Sequence, residues 1–263
     1  VGIGTGYFYV KNNKLKIKKI RNVEVLSEDE KIEGEIYNLY ETALTYIQAG
    51  EYGEAERVWR KMLFTYPKSK YTGKAYYELG KYYNSKNRVE VAIKYLNKLI
   101  AEYPDHENVP YAYFELANIE EKNGNTELAL KKYKKIKEDY FFLDIIEDVS
   151  NKIGELNLKL IFSRSQTKFS IVYDVKSGDN LYGIAKKFNT TIDYLIEANN
   201  LSKKGVIHPG NKLKILDPKI KFSILIDKSQ KTLFLMMNGE IIKKYRIAIG
   251  RDDKTTEGIF VVQ

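Results

Sequence analysis

The sequence predicts a multidomain chain in three parts: an α-helical repeat solenoid, a small α+β module ordered strand, helix, helix, strand, and part of an all-β unit. Three observations predict it. Alanine and tyrosine recur every 37 residues through the first half, at Ala55, Ala92 and Ala129 and at Tyr66, Tyr103 and Tyr140. Residues 170–216 pass from period-two alternation through two short helical patterns and back to alternation. From Phe222 onward, apolar runs are separated by Ser229-Gln230 and by Asn238-Gly239, the second a strong hairpin signal.

Composition narrows the function classes. At 263 residues and 43% hydrophobic content, the chain is long enough for two or three packed units. Zero cysteine excludes disulfides, thiolate metal sites and a lipid-modified N-terminal cysteine within these residues. The two histidines, His106 and His208, lie too far apart for a helical His-pair zinc motif, so neither metal nor cofactor is expected. The net charge of +9 resembles a nucleic-acid signal until it is located. Six of those charges are Lys11, Lys14, Lys16, Lys18, Lys19 and Arg21, with no acid before residue 22, so the rest of the chain nets +3. A nucleic-acid partner is therefore not expected, because such a face spreads its excess charge over a folded surface.

Residues 1–26 form a basic N-terminal segment opening on Val1-Gly2-Ile3-Gly4-Thr5-Gly6-Tyr7-Phe8-Tyr9-Val10. A bilayer span takes about 20 apolar residues, so this stretch reads as the end of a cut membrane helix, with Tyr7, Phe8 and Tyr9 at the interface. Basic residues after a span favour the cytoplasmic side, which charge further upstream would have to outweigh. The alternative is a plain N-terminal arm. Gly2, Gly4 and Gly6 follow no strand and do not make a dinucleotide fingerprint.

Residues 27–162 read as helical repeats. Ser27-Glu28-Asp29-Glu30 is an expected capping box, Gly50 an expected helix stop, and Pro67 and Pro104 follow helix ends. Around the anchors stand Ala43, Tyr46, Trp59 and Met62, then Tyr76, Leu79, Gly80, Tyr83, Leu96 and Leu99, then Tyr113, Leu116, Ala117, Tyr133 and Ile136. Phe141 falls where the third unit would carry proline. Small residues at Ala43, Gly80 and Ala117 let paired helices approach closely. This pattern resembles the tetratricopeptide repeat family, with a period longer than the usual ~34 residues. That resemblance implies a concave surface for a protein partner, the alternative being a spacer. Leu143 to Ile161 is expected to cover the last repeat. Residues 163–169 are a linker, where Ser165-Gln166-Thr167-Lys168 matches Ser-x-x-Lys without its companion motifs.

Residues 170–217 carry the most specific pattern. Ile171, Tyr173 and Val175 alternate, Gly178-Asp179 turns the chain, and Asp179 is expected to cap a helix holding Leu181, Ile184, Ala185 and Phe188. Thr191 is expected to cap a second helix with Ile192, Leu195 and Ile196. Asn199-Asn200 and Pro209-Gly210 are turns, and Leu213 and Ile215 alternate on the closing strand. The stretch resembles a LysM module, a βααβ domain that binds N-acetylglucosamine-containing glycans such as peptidoglycan or chitin. Carried over by position, the resemblance implies a shallow groove between Gly178, Asp179, Asn180, Leu181 and Tyr182 on one side and Val206, Ile207, His208, Pro209 and Gly210 on the other. Alternatively, Leu181, Ile207 and Pro209 only fill a small core. His208 is expected at the groove edge, outside any catalysis.

In residues 218–263, Ile226-Asp227, Thr232 to Leu235, Asn238-Gly239-Glu240, Tyr245 to Gly250 and the run Gly250 to Phe260 are similar to the opening of an L,D-transpeptidase catalytic domain, with Thr256 replacing the usual proline. The resemblance implies a cysteine nucleophile activated by histidine, attacking a stem-peptide carbonyl and passing the acyl group to a neighbouring amine. No catalytic residue of that kind occurs here, since there is no cysteine and no histidine after His208. The chain is thus expected to be an enzyme fragment or a non-catalytic wall-anchored scaffold, in either case extracytoplasmic and in the cell envelope.

Overall fold

The computed structural model describes residues 28–67, 69–250 and 258–259, and the chain divides into two compact units, Val1–Val109 and Pro110–Gln263. The basic segment 1–26, with its expected anchor, and Ser27 of the expected capping box lie outside the described residues. No helix among the described residues is long and apolar enough to cross a membrane.

The first unit holds α1 (Glu28–Gln48), α2 (Tyr52–Thr65), α3 (Lys70–Ser85) and α4 (Val89–Glu102). The second continues with α5 (Val109–Lys122) and α6 (Thr126–Asp139). The 37-residue spacing emerges as one joint built three times. Gly50, Asn87 and Gly124 take left-handed φ of 77°, 58° and 80°, which ends one helix and lets the next begin two residues later. Asparagine tolerates this conformation better than most side chains do. At the far ends of α2, α4 and α6, the amides of Tyr66, Tyr103 and Tyr140 donate to the carbonyls of Met62, Leu99 and Ile136, with φ of −130°, −135° and −133°. Pro67 and Pro104 follow the ends of α2 and α4 as expected, and α6 stops the same way at Asp139 with Phe141 beyond it.

Packing repeats with the joint. Ala55, Ala92 and Ala129 are fully buried, as are Met62, Leu99 and Ile136. A Cβ on Gly80 would sit 2.5 Å from Leu96 Cδ2, so glycine lets the buried Leu96 side chain lie directly against α3.

The second unit adds α7 (Ile146–Phe162), then β1 (Ser170–Asp174), α8 (Leu181–Lys187), α9 (Ile192–Asn199) and β2 (Lys212–Leu216), then β3 (Phe222–Asp227), β4 (Thr232–Met237) and β5 (Glu240–Arg246). Strands β1 and β2 pair antiparallel, Ser170 opposite Leu216 and Asp174 opposite Lys212. The second sheet is antiparallel in the order β3-β4-β5. Asn238 and Gly239 both take positive φ, 52° and 85°, as a two-residue type I′ hairpin requires. At the other turn, the Asp227 carboxylate accepts from Ser229 Oγ at 2.6 Å and Gln230 N at 3.0 Å. Of the run Gly250 to Phe260, only residues 250, 258 and 259 are among those described.

Helix α7 does more than cover the last repeat. One continuous apolar core runs from Ala117, Tyr133 and Ile136 through Val149, Ile153 and Leu156 of α7 to Leu195 and Ile215, and on to Met237 and Ile242. The helix therefore packs on α6, the βααβ module and β5 together. Its Gly154 is where β5 comes closest, since a Cβ there would lie 1.9 Å from the Ile242 carbonyl oxygen.

Candidate functional site

The candidate groove is built on residues 175–182 and 202–210, and backbone pairing holds their bases together. Val175 N donates to Asn211 O at 2.9 Å and Gly210 N to Val175 O at 2.8 Å, extending the β1–β2 ladder into both loops. Higher up, Gly205 lies against Leu181, where a Cβ would come within 2.7 Å of Leu181 Cδ1. Its φ of 63° suits glycine for a second reason. The second loop is internally braced, for His208 N donates to Asn211 Oδ1 at 2.8 Å and Asn211 N to His208 O at 3.0 Å.

In the first loop the structure corrects one expected role. Asp179 does not cap α8. Asn180 does, accepting from Gly183 N at 2.8 Å, because its extended backbone places its side chain over the first turn. Asp179 instead closes the turn before it. Its Oδ2 accepts from Lys176 N at 2.7 Å and from the Tyr173 hydroxyl at 2.9 Å, and Gly178 supplies the φ of 84° the turn needs. Thr191 caps α9 as expected, accepting from Tyr194 N at 3.1 Å.

The Lys176 amide first, and then the Tyr173 hydroxyl, hold the Asp179 carboxyl below the usual carboxylate range. Its folded pKa is depressed, so the turn's contribution is full above the free value of about 3.9 and is lost as pH falls through the lower folded value. In an NMR titration, Asp179 Cγ should turn over below about 3.9 with the Lys176 amide shifting in step. A midpoint at or above the free value would contradict this role.

The structure places the remaining predicted residues as follows. Gly178, Asn180, Tyr182, His208 and Pro209 are exposed, and Asp179 and Ile207 are half-buried. Tyr182 is the largest exposed apolar surface of the first loop, at 68%. Leu181 is 6% exposed and part of the core, as the core-filling alternative has it. It starts α8 with its side chain against Gly205 of the second loop. Among the described residues, no group of three or more His, Cys, Asp or Glu side chains is placed to hold a metal. The exposed residues of the two loops and the Tyr182 ring are open to solvent on this surface.

Sequence reasoning missed the residues that seat this module on α7. Lys214 sits between Leu213 and Ile215, which predicts a solvated side chain, yet it is 5% exposed. Its Nζ donates to the carbonyls of Leu160 at 2.9 Å, Ile161 at 3.0 Å and Ser163 at 2.6 Å. These are carbonyls at the end of α7, where the helix dipole is negative and intrahelical donors have run out. The Tyr194 hydroxyl donates to Ile161 O at 3.2 Å, and burial pushes its pKa up to about 12. Only the unpaired carbonyls that any helix C-terminus leaves could have signalled such a partner.

Two family models match parts of the chain. A family model described as "LysM domain" matches residues 173–216, and one described as "Outer membrane lipoprotein" matches residues 33–139. The chain is 33% identical over 88 residues to a protein of Bacillus subtilis (strain 168) named "Putative L,D-transpeptidase YkuD", covering 31% of this chain and 51% of that protein. A protein of the same name from Bacillus licheniformis is 32% identical over 97 residues, 35% of this chain and 59% of its own length. The chain thus spans about half the length of the curated relatives it matches.

Proposed function

We propose that this is an extracytoplasmic cell-envelope protein that binds peptidoglycan through residues 170–217. The observation that carries the reading is the coincidence of the LysM match at residues 173–216 with a βααβ fold whose two loops are joined at their base. In this reading, the exposed residues Gly178 and Asn180 meet N-acetyl groups and hydroxyls, with Leu181 supporting them from the core. Tyr182 and Pro209 pack on sugar faces, with Ile207 and His208 at the rim and Asp179 holding the first loop in shape.

The finer proposal is that residues 218–263 begin an L,D-transpeptidase domain, so that glycan binding delivers a stem-peptide cross-linking enzyme to its substrate. Two relatives named as L,D-transpeptidases and the β3-β4-β5 sheet support it. The thiolate chemistry would come from residues other than these 263, which contain no cysteine. The alternative is a non-catalytic scaffold recruiting proteins through the helical repeats, favoured by the lipoprotein match over residues 33–139. Sequencing the gene past Gln263 separates the two. A histidine and a Ser-x-Gly-Cys-type segment there would support the enzyme, and a stop codon would leave the scaffold.

Glycan binding is tested on the full chain, because Lys214 and Tyr194 tie the module to α7. The protein should be retained on purified sacculi and released by chitin oligomers. Tyr182→Ala combined with His208→Ala should weaken retention about tenfold, the equivalent of ~1.4 kcal/mol. Folded protein that passes over sacculi without retention would rule the reading out.

A further inference from the structure

Helix α6 buries Ala129, Leu130, Tyr133 and Ile136, and a groove of about 810 Å³ runs along its outer side, closed by Leu160 and Lys168. That volume is within the range of ~300–1,000 Å³ typical of ligand sites. Its lining contains five lysines against Glu127, Glu138 and Asp139. Two of the lysines are engaged, Lys135 with Asp139 at 2.7 Å and Lys132 with Glu120 at 3.1 Å. Among the described residues, Lys131, Lys134 and Lys168 have no ion pair. Loss of hydration, and then the like charge of Lys134, lower the pKa of Lys168, with Glu127 and Glu240 pulling only partly the other way. One turn before Lys131, the side chain of Leu128 is half exposed, at 50%.

We propose that this groove docks an extended acidic peptide segment carrying an apolar side chain: its carboxylates meet Lys131, Lys134 and Lys168, and its apolar residue covers Leu128. The proposal rests on reading the helical repeats as a protein-binding arm, and it gives that arm a location and a ligand chemistry. Charge complementarity sets the sign of the ligand. Leu128 decides its class, since a phosphate-rich polymer would satisfy the lysines and leave this leucine in water. Glu127 and Glu138 point the same way. They stand at the two ends of the stripe, eleven residues and so ~16 Å apart, and they penalise an unbroken polyanion more than a segment with a few spaced charges. An extended chain covers that distance with about five residues.

The test is fluorescence anisotropy on the full chain with a labelled octapeptide of alternating glutamate and leucine. The Glu-Leu peptide should bind saturably and weaken as salt rises. Lys131→Gln, Lys134→Gln and Lys168→Gln together should weaken it at least tenfold, and Leu128→Ser several-fold, with retention on sacculi unchanged. That last readout separates failure here from failure of glycan binding. If the triple variant does not fold, as judged by far-UV circular dichroism, Leu128→Ser and the salt dependence carry the test. No saturable binding would overturn the proposal, as would a Glu-Ser peptide or inorganic polyphosphate binding as tightly as Glu-Leu, or variants without effect.

Discussion

Replacing Lys214 with methionine should loosen the βααβ module from α7 by about 3 kcal/mol. The change keeps the volume and the apolar stem but removes a buried cation that donates to three carbonyls of the α7 terminus. Hydrogen bonds to charged groups contribute about 1.5–3 kcal/mol, and each carbonyl left buried without a donor costs about 1–3 more. Those costs are not additive, and some of the freed carbonyls will find water, which brings the expectation down to the figure given. This differs from replacing a buried ion pair with apolar residues, which is often neutral, because here the acceptors are main chain and stay behind. Amide exchange at Leu195 and Ile215 should quicken by about two orders of magnitude, the equivalent of ~3 kcal/mol. The fluorescence of Trp59, the sole tryptophan and part of the first unit, should unfold at an unchanged midpoint. Unaltered exchange at both amides would show that the lysine is incidental.

Gly154→Ala should have the second largest effect, against helix propensity. In a helix interior alanine is favoured over glycine by about 1 kcal/mol, so on propensity alone the variant would be more stable. The new methyl group would, however, fall 1.9 Å from the Ile242 carbonyl oxygen, and a backbone atom cannot swing away as a side chain can. Overpacking of this kind costs about 1–3 kcal/mol and occasionally more. With the contact this short we expect the upper end, leaving a net loss of about 2 kcal/mol in the docking of β5 on α7. The ion pairs Lys244–Glu147 at 2.7 Å and Lys243–Glu155 at 3.8 Å will not hold the sheet in place, since exposed pairs contribute little. Faster exchange across β4 and β5 with α6 unaffected is the expected result, and a net gain in stability would refute it.

Much of the fold was legible because it rests on local signals. The 37-residue spacing of Ala55, Ala92 and Ala129 marked the repeat units, whose alanines the structure buries, and the helix ends expected before Pro67 and Pro104 stand at Thr65 and Glu102. Asn238-Gly239 declared its hairpin, and Thr191 its cap. Expectations failed where neighbouring residues competed for one role. Asp179 and Asn180 are both able to cap a helix, and only the path of the Lys176 turn assigns the cap to Asn180. Proline at 67 and 104 does follow helix ends, and α6 ends the same way with Phe141 in that place.

For the candidate site, the residues of both loops were readable in order, while their burial was not. Leu181 could line the groove or fill the core, and it lies in the core, since whether a loop leucine faces out depends on what covers it, and Gly205 does so from 24 residues away. Determined by the sequence alone are the helical repeats, the βααβ order and the hairpin, each set by periodicity, caps and turn residues acting over a few positions. The tertiary structure alone decided that α7 is the common wall of the last repeat, the βααβ module and β5. That role comes from a buried lysine meeting unpaired carbonyls and from a glycine admitting a strand, contacts between residues more than 50 positions apart that no local pattern encodes.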